Sequence, residues 1–263
     1  MVEQLRVGVI GAGRWAASAH LPGFVRTPYA KVVAICDLNE DLAKARAQQF
    51  DIPDVYTDVE KLLAREDIDV IDVCTRGSSD DRDNHERLAF AALEAGKHCL
   101  CEKPVAHDYR NTWKAHHLAV SKGLKTKVGL TFRYAPAMMY MRDLIREGFI
   151  GTPFIFNGFE QNSQFLSSET PVTKMDLIPE QPNPEIKVSS LEGYGAPIID
   201  LSMWFMDSTV KSVVGILKNF VPYRTTIDGR KVRTNIDDGD IYIGEYENGA
   251  ICSVQSSYVT VGN

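Results

Sequence analysis

No apolar run in these 263 residues reaches the roughly 18 to 20 that a membrane-spanning helix needs. Basic residues form no cluster either. With 29 Lys and Arg against 35 Asp and Glu, the formal charge is −6, so the basic footprint of a nucleic-acid binder is missing. The N-terminus enters a β-branched run without a charged-then-apolar leader, and the expectation is a cytoplasmic protein. Cysteines are few and odd in number: Cys36, Cys74, Cys99, Cys101 and Cys252. Core thiols in a reducing compartment fit them better than a disulfide framework. Paired metal spacing is lacking. A zinc site from Cys36, Cys74 and Cys101 stays open as an alternative because strand ends converge, but plain packing is the expectation and no metal is predicted. Repeats and low-complexity tracts are absent.

What is present is patterned. The first half alternates short β-branched runs (Leu5 to Ile10, Lys31 to Cys36, Val70 to Cys74, His98 to Cys101, Thr126 to Leu130) with helical segments around Ala16 to Val25, Glu40 to Phe50, Val59 to Ala64, His85 to Ala95 and Tyr109 to Ser121. That alternation predicts an α/β fold, a Rossmann parallel sheet with helices on both faces, over residues 1–128. A helix from Pro136 to Glu147 opens the second domain, 129–263. Its later runs (Phe154 to Phe159, Ser212 to Phe220, Asp240 to Tyr246, Ala250 to Tyr258) are punctuated by Asp228-Gly229 and Asn248-Gly249. Such dipeptides favour hairpins, so the second domain is expected to be α+β with a mostly antiparallel sheet. Glu169 to Ser190 carries four prolines with little periodicity and reads as a loop, a candidate lid. The sequence stops directly after a strand-like run, as expected of a domain truncated at its C-terminus.

Gly11-Ala12-Gly13-Arg14-Trp15-Ala16 follows a strand and precedes a helix. The first glycine allows the tight turn, and the second lets backbone approach a pyrophosphate at the helix N-terminus. Asp37, at the end of the second strand, stands 21 positions after Ala16, where a carboxylate accepts ribose hydroxyls; the alternative is a solvated helix cap. Its charge would repel a ribose phosphate, so NAD is expected over NADP. Arg14, a guanidinium within reach of such a phosphate, argues the other way.

Cys101-Glu102-Lys103-Pro104, with the glycine turn, Ala92 to His98 and Arg133-Tyr134-Ala135-Pro136, closely resembles the glucose-fructose oxidoreductase and inositol dehydrogenase (Gfo/Idh/MocA) family across the whole chain. The resemblance implies that Lys103 lies near nicotinamide and substrate, with Trp15, Thr75 and Glu102 along the cofactor crevice. A lysine at the C-terminal edge of a parallel sheet can donate to a substrate oxygen and stabilise developing negative charge. His85 follows Asn84 where the family commonly shows Asn-x-x-His, although the run Arg76 to Asp83 is longer than usual and lacks its proline.

A second family motif, glycine-rich and ending in an aspartate with a histidine four residues on, reads here Gly193 to Asp200 followed by Trp204. The aspartate is kept; the histidine is not. Helical spacing puts Asp200 and Trp204 on one face. An indole only donates and cannot be a general base, so proton transfer falls to Lys103 first and Tyr194 second. Trp204 then offers stacking and shape, or core packing. Arg133 is a candidate for a substrate carboxylate, with pairing to an acidic residue the equal alternative.

The residues thus predict an NAD-dependent oxidoreductase interconverting a secondary alcohol and a ketone on a small hydroxylated ring, a sugar, a cyclitol or a cis-dihydrodiol acid. Lys103, Asp200 and Tyr194 carry the chemistry; Arg133 and Trp204 join Lys103 on the substrate. A lyase or glycosidase that recycles its NAD and a non-catalytic NAD-binding regulator are the alternatives. The resemblance also implies a homodimer or homotetramer formed through the outer face of the second sheet, with no nucleic-acid or membrane partner.

Overall fold

Residues 4–75, 84–106, 108–169, 190–225, 229–233 and 237–261 are described by a computed structural model, and the chain divides into two units, Met1–Gly129 and Leu130–Asn263. In the first unit six strands, β1 (Leu5–Ile10), β2 (Ala30–Cys36), β3 (Asp54–Tyr56), β4 (Val70–Val73), β5 (His98–Cys101) and β6 (Thr126–Val128), form a parallel sheet in the order β3-β2-β1-β4-β5-β6. The sequence pattern missed β3, which is three residues long and too short to show a period. The order reverses between β1 and β4, and in open α/β sheets ligands bind outside the carboxyl ends of the strands at that switch point.

Two apolar layers sandwich this sheet. One gathers Ile10, Ala34, Ile71, Val73 and Cys99 with Leu62 of α3 (Val59–Leu63), Leu88 and Leu93 of α4 (Asn84–Glu94) and Ala119 of α5 (Tyr109–Ser121). The other gathers Val7, Val9 and Ile35 with Leu21 of α1 (Leu21–Arg26) and Ala43 of α2 (Glu40–Phe50). Successive strand residues point to opposite faces. Ile71 and Val73 therefore enter the first layer, and Asp72 between them is turned into the second, wholly buried.

The stretch read as one helix from Ala16 to Val25 is two: a π-helical turn, Ala16–His20, runs directly into α1. Helix α2 is capped by Asn39, whose side chain accepts from the Leu42 N–H. Gly96 and Gly123, both at positive φ, follow α4 and α5 as left-handed helix ends require.

The second unit holds α6 (Pro136–Arg146), β7 (Ile155–Gln161), α7 (Ala196–Met206), β8 (Val210–Lys218), a small antiparallel pair β9 (Tyr223–Thr225) and β10 (Lys231–Arg233), then β11 (Gly239–Tyr246) and β12 (Ile251–Ser257). Its main sheet runs β7-β12-β11-β8. β11 is antiparallel to both neighbours, joined to β12 by a turn with Gly249 at φ 85°, whereas β7 lies parallel to β12, so the sheet is mixed. Gly229 closes the β9–β10 loop at φ 82°; its companion Asp228 lies outside the described residues. So do 170–189, nearly all of the expected lid, and 76–83 beside the expected Asn-x-x-His element.

Helix α7 buries Ile198, Leu201, Phe205 and Met206 against Tyr242, Tyr246, Cys252 and Val254 of the sheet. At roughly 1.5–3 kcal/mol per fully buried large apolar side chain, this layer anchors the helix that carries Asp200. The opposite face of the sheet presents Ile216, Ile241 and Phe159 along one line, Val214 and Ile243 along the next, then Ile251 and Ile155, all exposed.

Candidate functional site

Strand β1 runs into the glycine turn. Gly11 holds φ 109°, and a Cβ there would sit 2.8 Å from the Cys74 carbonyl and the Thr75 nitrogen, so only glycine lets this turn lie against the end of β4. Gly13 differs. Among the described residues nothing lies within 4 Å of a Cβ built there, which leaves its backbone open to a ligand. Asp37 ties the turn to β2: its Oδ2 accepts from the Ala12 N–H at 2.7 Å and its Oδ1 from the Asn39 N–H at 2.8 Å. A carboxylate has about four acceptor sites, and two of those on Asp37 are used by backbone. Arg46, which sequence reasoning passed over, donates from Nε to the Ala12 carbonyl at 3.2 Å.

The cradle has the features a dinucleotide needs. Besides the open side of Gly13, the buried Thr75 Oγ1 has no hydrogen-bond partner among the described residues, the condition of a hydroxyl that awaits a ligand donor or acceptor. Arg14 and the half-exposed Trp15 flank the turn. Gly11, Gly13, Arg14, Trp15, Asp37 and Thr75 would hold the cofactor.

Strand β5 ends in Glu102-Lys103-Pro104, with the Lys103–Pro104 peptide cis. The Glu102 N–H continues the ladder to the Val73 carbonyl at 2.8 Å, so the turn stands at the same sheet edge as the glycine turn. Glu102 itself points inward. His20 Nε2 lies 3.2 Å from its Oε1 and His20 Nδ1 lies 2.9 Å and 3.1 Å from the two oxygens of Asp72. Burial alone would lower the imidazole; its bonds to Asp72 and Glu102, and their charges, outweigh that and push it up to about 9. Burial raises Asp72, against the bond and charge of His20. Burial would raise Glu102 too, but the bond and charge of His20, and bonds from Trp15 and the Lys103 N–H, hold it below the usual carboxylate range.

Neither His20 nor Asp72 was singled out in the sequence. The signal was there: a carboxylate inside a β-branched strand expected to be buried demands a partner. Among the described residues His20, Asp72 and Cys74 form the one group whose donor atoms all lie within 4.8 Å. Both imidazole nitrogens already contact carboxylates, and the Cys74 thiol donates to the Gly11 carbonyl with its pKa pushed well up by burial, so the trio reads as an ion-pair network. Cys36 and Cys99 are likewise pushed up by burial, to about 11 and about 12, as core thiols are.

His85, expected at the cofactor, has backbone for both ring nitrogens: Nδ1 lies 2.8 Å from the Pro104 carbonyl and Nε2 2.7 Å from that of Thr75.

In the second unit Asp200 and Trp204 do share a face of α7, with Arg133 against them. Arg133 donates bidentately to Asp200, both contacts at 2.5 Å. Its Cζ lies 5.8 Å from the Trp204 ring centre; Arg142, buried on α6, lies 5.6 Å from that ring and donates to Asp207, which caps α7 in the left-handed conformation. Of the two options open for Arg133, the acidic partner is the one formed. Tyr194, in the π-helical turn Leu191–Gly195 before α7, donates its hydroxyl to Gln164, and burial raises its pKa.

Known proteins align with this geometry. Residues 5–130 match the family profile described as "Oxidoreductase family, NAD-binding Rossmann fold". Levoglucosan dehydrogenase of Pseudarthrobacter phenanthrenivorans is 26% identical over 97% of this chain and 68% of its own length. An uncharacterized oxidoreductase, YrbE, of Bacillus subtilis is 32% identical over 59% of this chain and 44% of its own, and D-apiose dehydrogenase of Paraburkholderia graminis 29% over 67% and 49%. The chain thus spans about half the length of most curated relatives it matches. A solved structure of levoglucosan dehydrogenase in complex with NADH and L-sorbose superposes with a TM-score of 0.85 at 25% identity, over 99% of this chain and 68% of that one. An oxidoreductase domain protein of Kribbella flavida does so at 0.87 and 26%, over 100% and 69%. The glycine turn, the strand order and the Glu-Lys-Pro turn are thereby accounted for together: residues 5–130 belong to the NAD-binding Rossmann domain of the Gfo/Idh/MocA oxidoreductase family.

Proposed function

We propose that the protein is an NAD-dependent dehydrogenase that interconverts a secondary alcohol and a ketone on a small hydroxylated ring. The observation that carries this reading is the carboxyl edge of the parallel sheet. There the open Gly13 backbone, the unpartnered Thr75 hydroxyl and the Lys103 turn follow three neighbouring strands, β1, β4 and β5. When bound, the nicotinamide supplies the hydride acceptor or donor. Lys103 donates to the substrate oxygen and takes or returns its proton, a task for which an amine that donates and accepts is suited. Tyr194 is the weaker candidate for that proton, because its hydroxyl is committed to Gln164 and burial raises it.

Relatives named for levoglucosan, D-apiose and inositol support a sugar or cyclitol as substrate class. A ring bearing a carboxylate, such as a dihydrodiol acid, suits the aromatic Trp204 but would have to compete with Asp200 for Arg133. Asp200, held bidentately, orients Arg133 beside Trp204. The exposed apolar rows on the outer sheet face support pairing of two copies of the chain, which sedimentation velocity checks; a monomer at micromolar concentration removes that part. A second reading, an NAD-binding regulator without turnover, is favoured by Trp204 in place of the family histidine.

Absorbance of the nicotinamide with a panel of cyclitols, anhydrosugars and dihydrodiols separates the two. Turnover with at least one of them is expected, and Lys103→Ala lowers it by about a hundredfold or more while NADH affinity changes little. Silence across the panel removes the dehydrogenase reading.

A further inference from the structure

The turn bearing Lys103 is fastened to the end of β4 by two histidines. His85 spans the carbonyls of Pro104 and Thr75 on one side. On the other, His20 spans the Glu102 carboxylate and the wholly buried Asp72. We propose that His20 is a positioning residue for Lys103: as an imidazolium between Asp72 and Glu102, it fixes the Glu102 carboxylate on which the Lys103 backbone N–H rests. This inference rests on the proposed role of Lys103 in turnover.

Three independent features carry it. The Lys103 N–H donates to Glu102 Oε2 at 3.3 Å, so the side chain of Glu102 sets the peptide from which Lys103 departs. The space Glu102 fills is kept for it: a Cβ on Gly129 would collide with Oε1 and lie 2.9 Å from Cδ, although the Gly129 backbone does not require a positive φ. Finally, the π-helical turn Ala16–His20 sets the register of the last residue before α1, and side-chain direction at a helix follows such register. Turns of this kind recur at functional sites.

Charge supports the same arrangement. The groups facing His20 are Asp72 of β4, the Cys74 thiol just beyond it, and Glu102 at the end of β5, itself bonded by Trp15. The thiol is kept neutral by burial. Two carboxylates, one wholly and one partly buried, against one imidazole favour its protonated form, in keeping with a pKa pushed up to about 9 despite burial. A neutral imidazole could donate to only one of the two.

The test compares the wild-type chain with His20→Asn, His20→Gln and Gly129→Ala. An Asn amide stands near the position of Nδ1 and keeps Asp72; a Gln amide reaches the position of Nε2 and keeps Glu102. In the 15N-labelled wild-type chain both ring nitrogens of His20 carry protons at pH 8, where an unperturbed histidine of pKa about 6.5 is neutral. Exchange of the Lys103 amide proton speeds by about tenfold or more in His20→Asn and Gly129→Ala, and little in His20→Gln. With NADH and a substrate found in the panel, His20→Asn lowers kcat by about a hundredfold and leaves KM nearly unchanged, whereas His20→Gln recovers most of the loss. A neutral His20 at pH 8 overturns the proposal. So does unchanged Lys103 exchange in His20→Asn, or an equal fall of kcat and NADH affinity in both His20 variants. If no ring alcohol is turned over, the dehydrogenase reading fails by itself, and the nitrogen shifts and amide exchange still judge the role of His20.

Discussion

In the N-terminal unit two carboxylates, the buried Asp72 and the partly buried Glu102, share one histidine, and the cofactor cradle beside them keeps, among the described residues, an open backbone at Gly13 and an unpartnered hydroxyl on Thr75. In the C-terminal unit the motif residues have taken one another as partners: Asp200 binds Arg133, and Trp204 lies against Arg133 and Arg142. The first arrangement spends its internal contacts on holding a turn and leaves ligand groups free; the second commits the ligand candidates themselves. Lys103 follows the family pattern, and Trp204 departs from it.

The sharpest break of this contrast comes from the two glycines of one turn. Gly11→Ala places a methyl 2.8 Å from backbone at Cys74 and Thr75 in a left-handed conformation, so a loss of about 3 kcal/mol or more is expected, read as a lowered urea midpoint. Gly13→Ala meets no atom within 4 Å. Its midpoint shifts by less than about 0.5 kcal/mol, while NADH affinity, followed by fluorescence, drops because the methyl enters the cradle. Equal destabilisation by both would mean that the open side of Gly13 is not a ligand surface.

How much of this was legible in the sequence follows the range of the interactions. The glycine turn, Asp37 and the strand alternation are local patterns, and local sterics determine them. His20 lies 52 positions from Asp72 and 82 from Glu102, and Gly129 lies 27 from Glu102, across strands whose order is not written in any short window. Only the oddity of a charge in an apolar strand, Asp72, hinted at the network. Pairing of Arg133 with Asp200, 67 positions apart, was one of two options because composition does not say which anion is nearer. The parallel β7–β12 pair escaped for the same reason, since turn dipeptides report neighbours in sequence only.

A smaller effect separates the units by pH. His20 has a folded pKa raised to about 9, so its stabilisation is whole below its unfolded value, about 6.5, and is lost as pH rises through about 9. Glu102, held below its usual range, adds stability above about pH 4.3 that is lost in acid. The fastening in the second unit uses guanidinium groups, which stay charged throughout. Urea unfolding of the wild-type chain between pH 6.5 and 9.5 thus shows a decline of about 3 kcal/mol or less, the scale of breaking a buried pair. The decline is absent in His20→Gln. A wild-type chain as stable at pH 9.5 as at 6.5 removes the imidazolium from the account.

The smallest effect tests whether the departure at Trp204 is chemical or structural. Trp204→His restores the family residue four positions after Asp200, but both Asp200 oxygens already receive Arg133, which leaves no carboxylate free to orient the imidazole. The substitution also removes the ring lying near Arg133 and Arg142, worth about 1 kcal/mol at a partly desolvated site. A drop in Tm of about 2–4 °C with no gain in turnover is expected. A rise in turnover would mean that Asp200 can leave Arg133 for a histidine, and the contrast between the two units would then lie in the one residue at position 204 rather than in the pairing around it.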